Sequence, residues 1–327
     1  MPQNAAVTDA SSPANQPVVA ALAERDLPEA ERIFRVAFGT FLGVPEPETF
    51  WSDRDYVYGR WRAPHVAALG AAGGGRLLGS NFATRWGSVG FFGPITVDPA
   101  LQESGVGKAL LAATMDQFDA WGSTQVGLFT FAHSAKHIAL YQKFGFYARF
   151  LTAIMSAPAQ HAHATTGWSR YSELSDPEKA AALGAARDVT DTLYPGLDLS
   201  DEIGAVYDQD LGETVLVHGA DGLAAFAVCH YGPRSEAGAD ACFIKFGAVR
   251  DTAAAEQDYL RLLDACEALA VTVGMPTILA GANLARREAY QHLVARGFRT
   301  AIQGVNMHRD NEPGYCRSGL YVIDDWR

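Results

Sequence analysis

Cysteine is scarce in this 327-residue chain: there are four, at positions 229, 242, 266 and 316, with no CxxC pair and no histidine at zinc-ligand spacing. A disulfide framework and a structural metal therefore find no support, and a reducing cytoplasm is the expected compartment. Also absent is any run approaching the roughly 20 uncharged apolar residues that cross a bilayer. The opening stretch, MPQNAAVTDASSPANQP, has neither a basic start nor an apolar core, so residues 1–17 read as a polar, flexible leader rather than a signal peptide. Basic residues are outnumbered, 26 Lys and Arg against 37 Asp and Glu, and they form no stripe. Nucleic acid and anionic membrane surfaces are poor partners for such a chain.

What is present is a large apolar fraction, 48% of residues against 19% charged, enough to build real cores. The length suits about two domains. Charge is unevenly divided: residues 1–157 hold 12 basic against 13 acidic residues, and residues 158–327 hold 14 against 24. The chain also repeats itself. At one constant offset Val97 falls on Val249, Leu110-Leu111 on Leu262-Leu263, Gly122 on Gly274, Gly145-Phe146 on Gly297-Phe298 and Met155 on Met307. Two copies of one domain are expected, over residues 18–157 and 158–327. The boundary lies in SAPAQHAHATTG, residues 156–167, where apolar periodicity stops; His161 and His163 within it read as linker residues.

In the first copy the hydrophobic period alternates between helix and strand. Residues 27–42 place Ile33, Phe34, Ala37, Phe38 and Phe41 on one helical stripe. HVAALGAAGGGRLLGSNFAT reads as two strands around a glycine turn and VGFFGPITV as a third strand, interrupted at Gly90, Gly93 and Pro94. A helix over 105–121, the strand QVGLFTFA, a helix over 134–144 and the strand FYARFLTAIMS follow. The fold class implied is α/β with a mixed sheet.

The most informative segment is ITVDPALQESGVGKALLAA, residues 95–113. A strand delivers the chain to a short loop, and Gly105 and Gly107 open a helix. Glycines there let a ligand approach the backbone, and the first free amides of the helix carry a positive partial charge, which suits a phosphate or pyrophosphate. The segment is neither a P-loop, since Gln102 and Ala109 stand where GxxxxGK[ST] requires other residues, nor a dinucleotide fingerprint, since Leu110 replaces the third glycine of GxGxxG. A plain tight strand-to-helix turn is the alternative.

Val97-Asp98-Pro99, Gln102-Glu103-Ser104-Gly105-Val106-Gly107 and Leu110-Leu111 together resemble the acetyl-CoA loop of the GNAT superfamily of N-acetyltransferases, and SAKHIALYQKFGF, residues 134–146, resembles that family's next helix. The resemblance covers about residues 18–157 with specific motifs and the second copy by general layout, which implies two tandem GNAT-like domains. It implies that Ile95, Thr96 and Val97 offer backbone groups to a pantetheine arm, and that amides from Gln102 through Glu103, Ser104, Gly105, Val106 and Gly107 to Lys108 hold its pyrophosphate. Ser134 stands where many relatives carry a cofactor-contacting Asn. Tyr141 occupies the position that relatives use to assist the leaving thiolate.

The implied activity is transfer of an acetyl group from acetyl-CoA, without a metal, to a small-molecule or peptide amine. Direct transfer is expected because the first copy contains no cysteine. With reference pKa values of about 10 for a phenol and 8.5 for a thiol, hydrogen-bond donation by Tyr141 suits the thiolate better than early proton transfer. The strand from Val89 to Val97 has no carboxylate to serve as base. His133 is a candidate; Asp324, Asp325 and the terminal carboxylate of Arg327 are others. In the second copy Gln257, Tyr259 and Leu293 replace Gly105, Gly107 and Tyr141, so no acetyl-CoA is expected there. The acidic run LDLSDEIGAVYDQDLGE, residues 197–213, either lines a cleft that attracts a cationic amine or is a solvated helix face. A monomer and a homodimer are both compatible with this organisation. A non-catalytic acyl-CoA-binding sensor is the alternative function.

Overall fold

A computed structural model describes residues 17–101, 104–159 and 166–327; Gln102, Glu103, His161 and His163 lie outside them. The first copy runs β1 (Val18–Ala21), α1 (Leu27–Phe41), α2 (Tyr58–Arg62), β2 (Val66–Gly73), β3 (Arg76–Trp86), β4 (Val89–Phe92), β5 (Thr96–Val97), α3 (Val106–Trp121), β6 (Gln125–Phe131), α4 (Ala135–Gln142) and β7 (Phe146–Pro158). The second runs β8 (Trp168–Arg170), α5 (Asp176–Asp191), α6 (Ser200–Asp208), β9 (Gly212–Gly219), β10 (Gly222–Gly232), β11 (Gly238–Val249), α7 (Ala255–Thr272), β12 (Thr277–Asn283), α8 (Arg287–Ala295), β13 (Arg299–Arg309) and β14 (Val322–Ile323). The elements of the two copies correspond in order from α1 and α5 onward.

All the strands join one mixed sheet, in the order β1-β2-β3-β4-β6-β13-β7-β12-β11-β10-β9-β8, with β5 beside β3 and β14 beside β11. The centre shows how the copies are joined. β13, from the second copy, lies between β6 and β7 of the first, and β7 lies between β13 and β12 of the second. Each copy thus completes its sheet with the other's last long strand. At the crossing Thr152 sits opposite Gly304, which are equivalent positions of the repeat.

The break anticipated at Gly93 and Pro94 is real, whereas Gly90 does not interrupt the strand: it is paired within β4, opposite Arg85 on one side and Val126 on the other. β4 runs parallel to β6 from Val89↔Gln125 to Phe92↔Leu128 and then leaves it; β5 pairs only with β3, through Gly79↔Val97 and Ser80↔Thr96. A wedge-shaped gap therefore opens between residues 93–97 and the end of β6. Helices α3 and α4 cover one face of this region, where Leu111, Phe118, Tyr141 and Phe146 pack with Phe92 and Leu128. On the other face Phe91 joins Trp86, Leu197, Phe246 and Trp326 in a core built from both copies. The four cysteines are free and buried. Among the described residues, no helix is long and apolar enough to cross a membrane, and no group of His, Cys, Asp or Glu side chains is arranged to hold a metal.

Candidate functional site

The glycine loop sits at the mouth of this wedge. Asp98 fixes the turn that ends β5: its carboxylate accepts the Ala100 amide at 3.0 Å and lies 3.6 Å from Arg32. Gly105 then opens α3 with φ of +86°, a left-handed conformation that costs glycine nothing, and its missing Cβ faces open space. The Ala109 amide bonds to Gly105 O at 3.0 Å. The amides of Val106, Gly107 and Lys108 precede it in the first turn, where a helix has donors to spare. A Cβ on Gly107 would meet Val97 Cγ2 at 3.8 Å and Leu140 Cδ2 at 3.9 Å, so a longer side chain would fill the space between β5 and α4. Ser104 differs from expectation. Its amide and its hydroxyl both donate to Leu101 O, at 3.2 and 2.6 Å, so it shapes the turn and its donors are already used.

Ile95 and Val97 are half-buried and Thr96 is buried, all beside the gap. Tyr141, at the last full turn of α4, is 5% exposed, packs edge-on against Phe92 and shares a hydrogen bond with the Thr130 side chain of β6. Burial holds its phenol well above the ordinary range, so it stays protonated and acts as a donor. Ser134 is buried at the start of α4 and makes no side-chain cap to it. His133 is exposed in the turn after β6, its ring stacked on Phe41 at 5.4 Å. With Phe38 and Phe131 they form an aromatic rim, the Phe41 and Phe131 centroids being 5.2 Å apart. Tyr141 and the glycine helix thus meet across the wedge, while His133 lies at its rim.

Of the other candidate bases, Asp324 is removed by its partners: it binds Arg286 at 2.6 Å and accepts from Tyr315, all buried within the second copy. Asp325 lies over Gly281 on β12, fully buried, its carboxyl raised by that burial. The backbone oxygen of Arg327 is held by Arg60 at 2.6 Å.

The second copy has no wedge. Gly247 and Ala248, which correspond to Ile95 and Thr96, pair with β14, so a strand of the chain itself lies in the groove. Tyr259 is fully buried with Leu293, Tyr321 and Ile323, and its hydroxyl donates to Ala289 O at 3.3 Å. Arg286, which corresponds to Ser134, is fully buried against the same tail.

A group between the copies was not legible in sequence. Glu202, from the acidic run, is 2% exposed and meets Lys245 at 2.9 Å, His65 at 2.9 Å and Trp86 Nε1 at 3.0 Å. Asp201, Asp208 and Asp210 of that run are exposed, so the run is partly interface and partly solvated. The space beside this group, about 20 Å³, holds no more than a water-sized molecule.

Comparison with known proteins agrees with the geometry. Residues 30–146 match the acetyltransferase (GNAT) family. A candidate acetyltransferase from Pyrococcus horikoshii superposes with a TM-score of 0.65 at 12% identity, covering 95% of each chain. A GCN5-related N-acetyltransferase from Sphaerobacter thermophilus gives 0.57 at 14% identity, over 91% of this chain and 96% of that one. A tandem GNAT protein of the clavulanic acid biosynthesis pathway gives 0.54 at 13%, over 91% and 100%. At such identities the likeness is one of fold. No curated protein sequence matches. The family match lies wholly within the first copy. The chain as a whole has the fold of two GNAT-like domains in tandem.

Proposed function

We propose that the chain is an N-acetyltransferase whose first copy binds acetyl-CoA and transfers the acetyl group directly to a primary amine of a small molecule or peptide. The observation that carries this reading is the alignment of three features on one gap: the unfilled glycine turn at Gly105 and Gly107, the one-sided strand Thr96–Val97, and the buried Tyr141 hydroxyl. Acetyl-CoA supplies an activated thioester. The amides of Gly105, Val106, Gly107 and Lys108 hold its pyrophosphate, the backbone of Ile95, Thr96 and Val97 aligns its pantetheine arm, and the Ser134 hydroxyl stands where a relative's Asn reaches the cofactor. Gln102 and Glu103 complete the loop motif.

The reaction joins the amine nitrogen to the acetyl carbon and breaks the carbon–sulfur bond. Tyr141 donates its hydrogen bond to the departing thiolate, a role its burial favours by keeping the phenol protonated. His133, at the aromatic rim, takes the proton that the amine must lose. The second copy acts as scaffold and wall.

The test is a thermal-shift titration with CoA followed by thiol release against a panel of amines. Tyr141→Phe is expected to lower turnover about a hundredfold with cofactor affinity unchanged, and His133→Gln to lower it likewise. Stabilisation by CoA without turnover across the panel would support the sensor reading, and no stabilisation would sink both.

A further inference from the structure

Arg60, near the end of α2, is 4% exposed and joins four separate parts of the molecule. Its Nη1 donates to Gly93 O, one residue beyond the last pair that β4 makes with β6. Its Nε and Nη2 grip both oxygens of Glu236, at 2.7 and 2.9 Å, and Nη2 also donates to the Arg327 backbone oxygen at 2.6 Å. Glu236 and Arg327 belong to the second copy. Only two residues separate Trp86 from Val89, the paired ends of β3 and β4, whereas five separate Gly232 from Gly238, the paired ends of β10 and β11. Glu236 lies in that longer loop. The loop and the start of β11 are docked on the first copy: Asp55 N donates to Ser235 O at 3.0 Å and Ala239 N to the Asp53 carboxylate at 3.1 Å.

The tail arrives from the other side. β14, seated in the second copy's groove, leads through Asp325 to Trp326, whose indole donates to Tyr315 at 2.7 Å and whose ring stacks on Phe91 at 6.3 Å. Gly127 of β6 has no room for a side chain beneath that ring. Phe91 and Gly127 face each other in the β4–β6 pairing just before the wedge opens. The loop and the tail of the second copy therefore converge on the point where β4 leaves β6.

We infer that Arg60 is a positioning residue through which the second copy sets the opening of the first copy's wedge, and so the seat of the acetyl group. A guanidinium can serve a carbonyl and a bidentate carboxylate at once because its five donors lie in a fixed plane; a lysine cannot. This inference rests on the reading that acetyl-CoA binds the first copy, and the test keeps the two apart.

Calorimetry on the full chain compares three probes: acetyl-CoA, desulfo-CoA, which lacks the acetylthio group, and adenosine 3′,5′-bisphosphate, which reports only the nucleotide end. In Arg60→Lys the preference for acetyl-CoA over desulfo-CoA is expected to shrink at least fivefold, with the bisphosphate affinity unchanged. Trp326→Phe, which removes the indole anchor and keeps an apolar wall, is expected to move it in the same direction and serves if Arg60→Lys does not fold. An unchanged preference, or equal weakening of all three probes, would overturn the inference. If the wild-type chain binds none of the three, the cofactor reading itself fails and this one falls with it.

Discussion

On the proposed function, Gly107 is the residue at which cofactor access is decided. Its Cβ position has ordinary contacts with Val97 and Leu140, so a Leu there begins comfortably and then projects into the gap. Glycine near the start of a helix is also a poor helix former, by up to about 1 kcal/mol relative to Ala. Gly107→Leu is therefore expected to keep or slightly raise the melting temperature in the absence of ligand while abolishing the thermal shift with CoA. A retained shift would place the cofactor elsewhere. Tyr259 is the same experiment already made in the second copy, a large buried side chain at the position of Gly107. Glycine spacing was readable in the chain. The direction in which each glycine opens was not, since it depends on β5 and α4 being brought to either side.

At the scale of the element, β14 explains more of the asymmetry between copies than any single substitution. In the first copy Thr96 and Val97 pair with β3 on one side only; in the second, Gly247 and Ala248, which correspond to Ile95 and Thr96, are closed by Val322 and Ile323 of β14. A groove already lined by a hydrogen-bonding strand offers no edge to a pantetheine arm. Calorimetry with CoA is expected to return one site per chain, and Gly107→Leu none. A second site of comparable affinity would refute this account of β14. The degeneracy was legible from Gln257, Tyr259 and Leu293, but the strand that fills the groove lies about sixty residues further on and carries no motif.

For the whole molecule, the two copies share charge as well as strands. Burial alone would raise the Glu236 carboxyl, but the Arg60 guanidinium and the Lys245 ammonium outweigh it and hold the group at about 2, against an ordinary 4.5. The unfolded chain then binds the extra proton between these values. The stabilisation is full above about pH 4.5 and is lost as pH falls toward 2. A difference of that size is worth about 3 kcal/mol. Urea unfolding at a series of acidic pH values is expected to show this loss in the wild type and a flatter profile in Glu236→Gln, which also starts less stable because it leaves Arg60 buried with a weaker partner. Equal slopes would show that Glu236 is not charged in the folded state.

By itself the sequence determined the repeat, the alternation of helices and strands over most of the first copy, the break at Gly93 and Pro94, and the glycine turn that opens α3, because each of these is written in local spacing: a period of about two or 3.6, a glycine where a side chain would obstruct, an interruption where pairing ends. Only the tertiary structure decided that β7 and β13 sit side by side between the halves, that the tail closes the second groove, and that Arg60 is met by Glu236 from far along the chain. Such contacts depend on which surfaces meet after folding, and a lone Arg in YGRWR or a lone Glu in RSEAG has no local signature of the partner it will find.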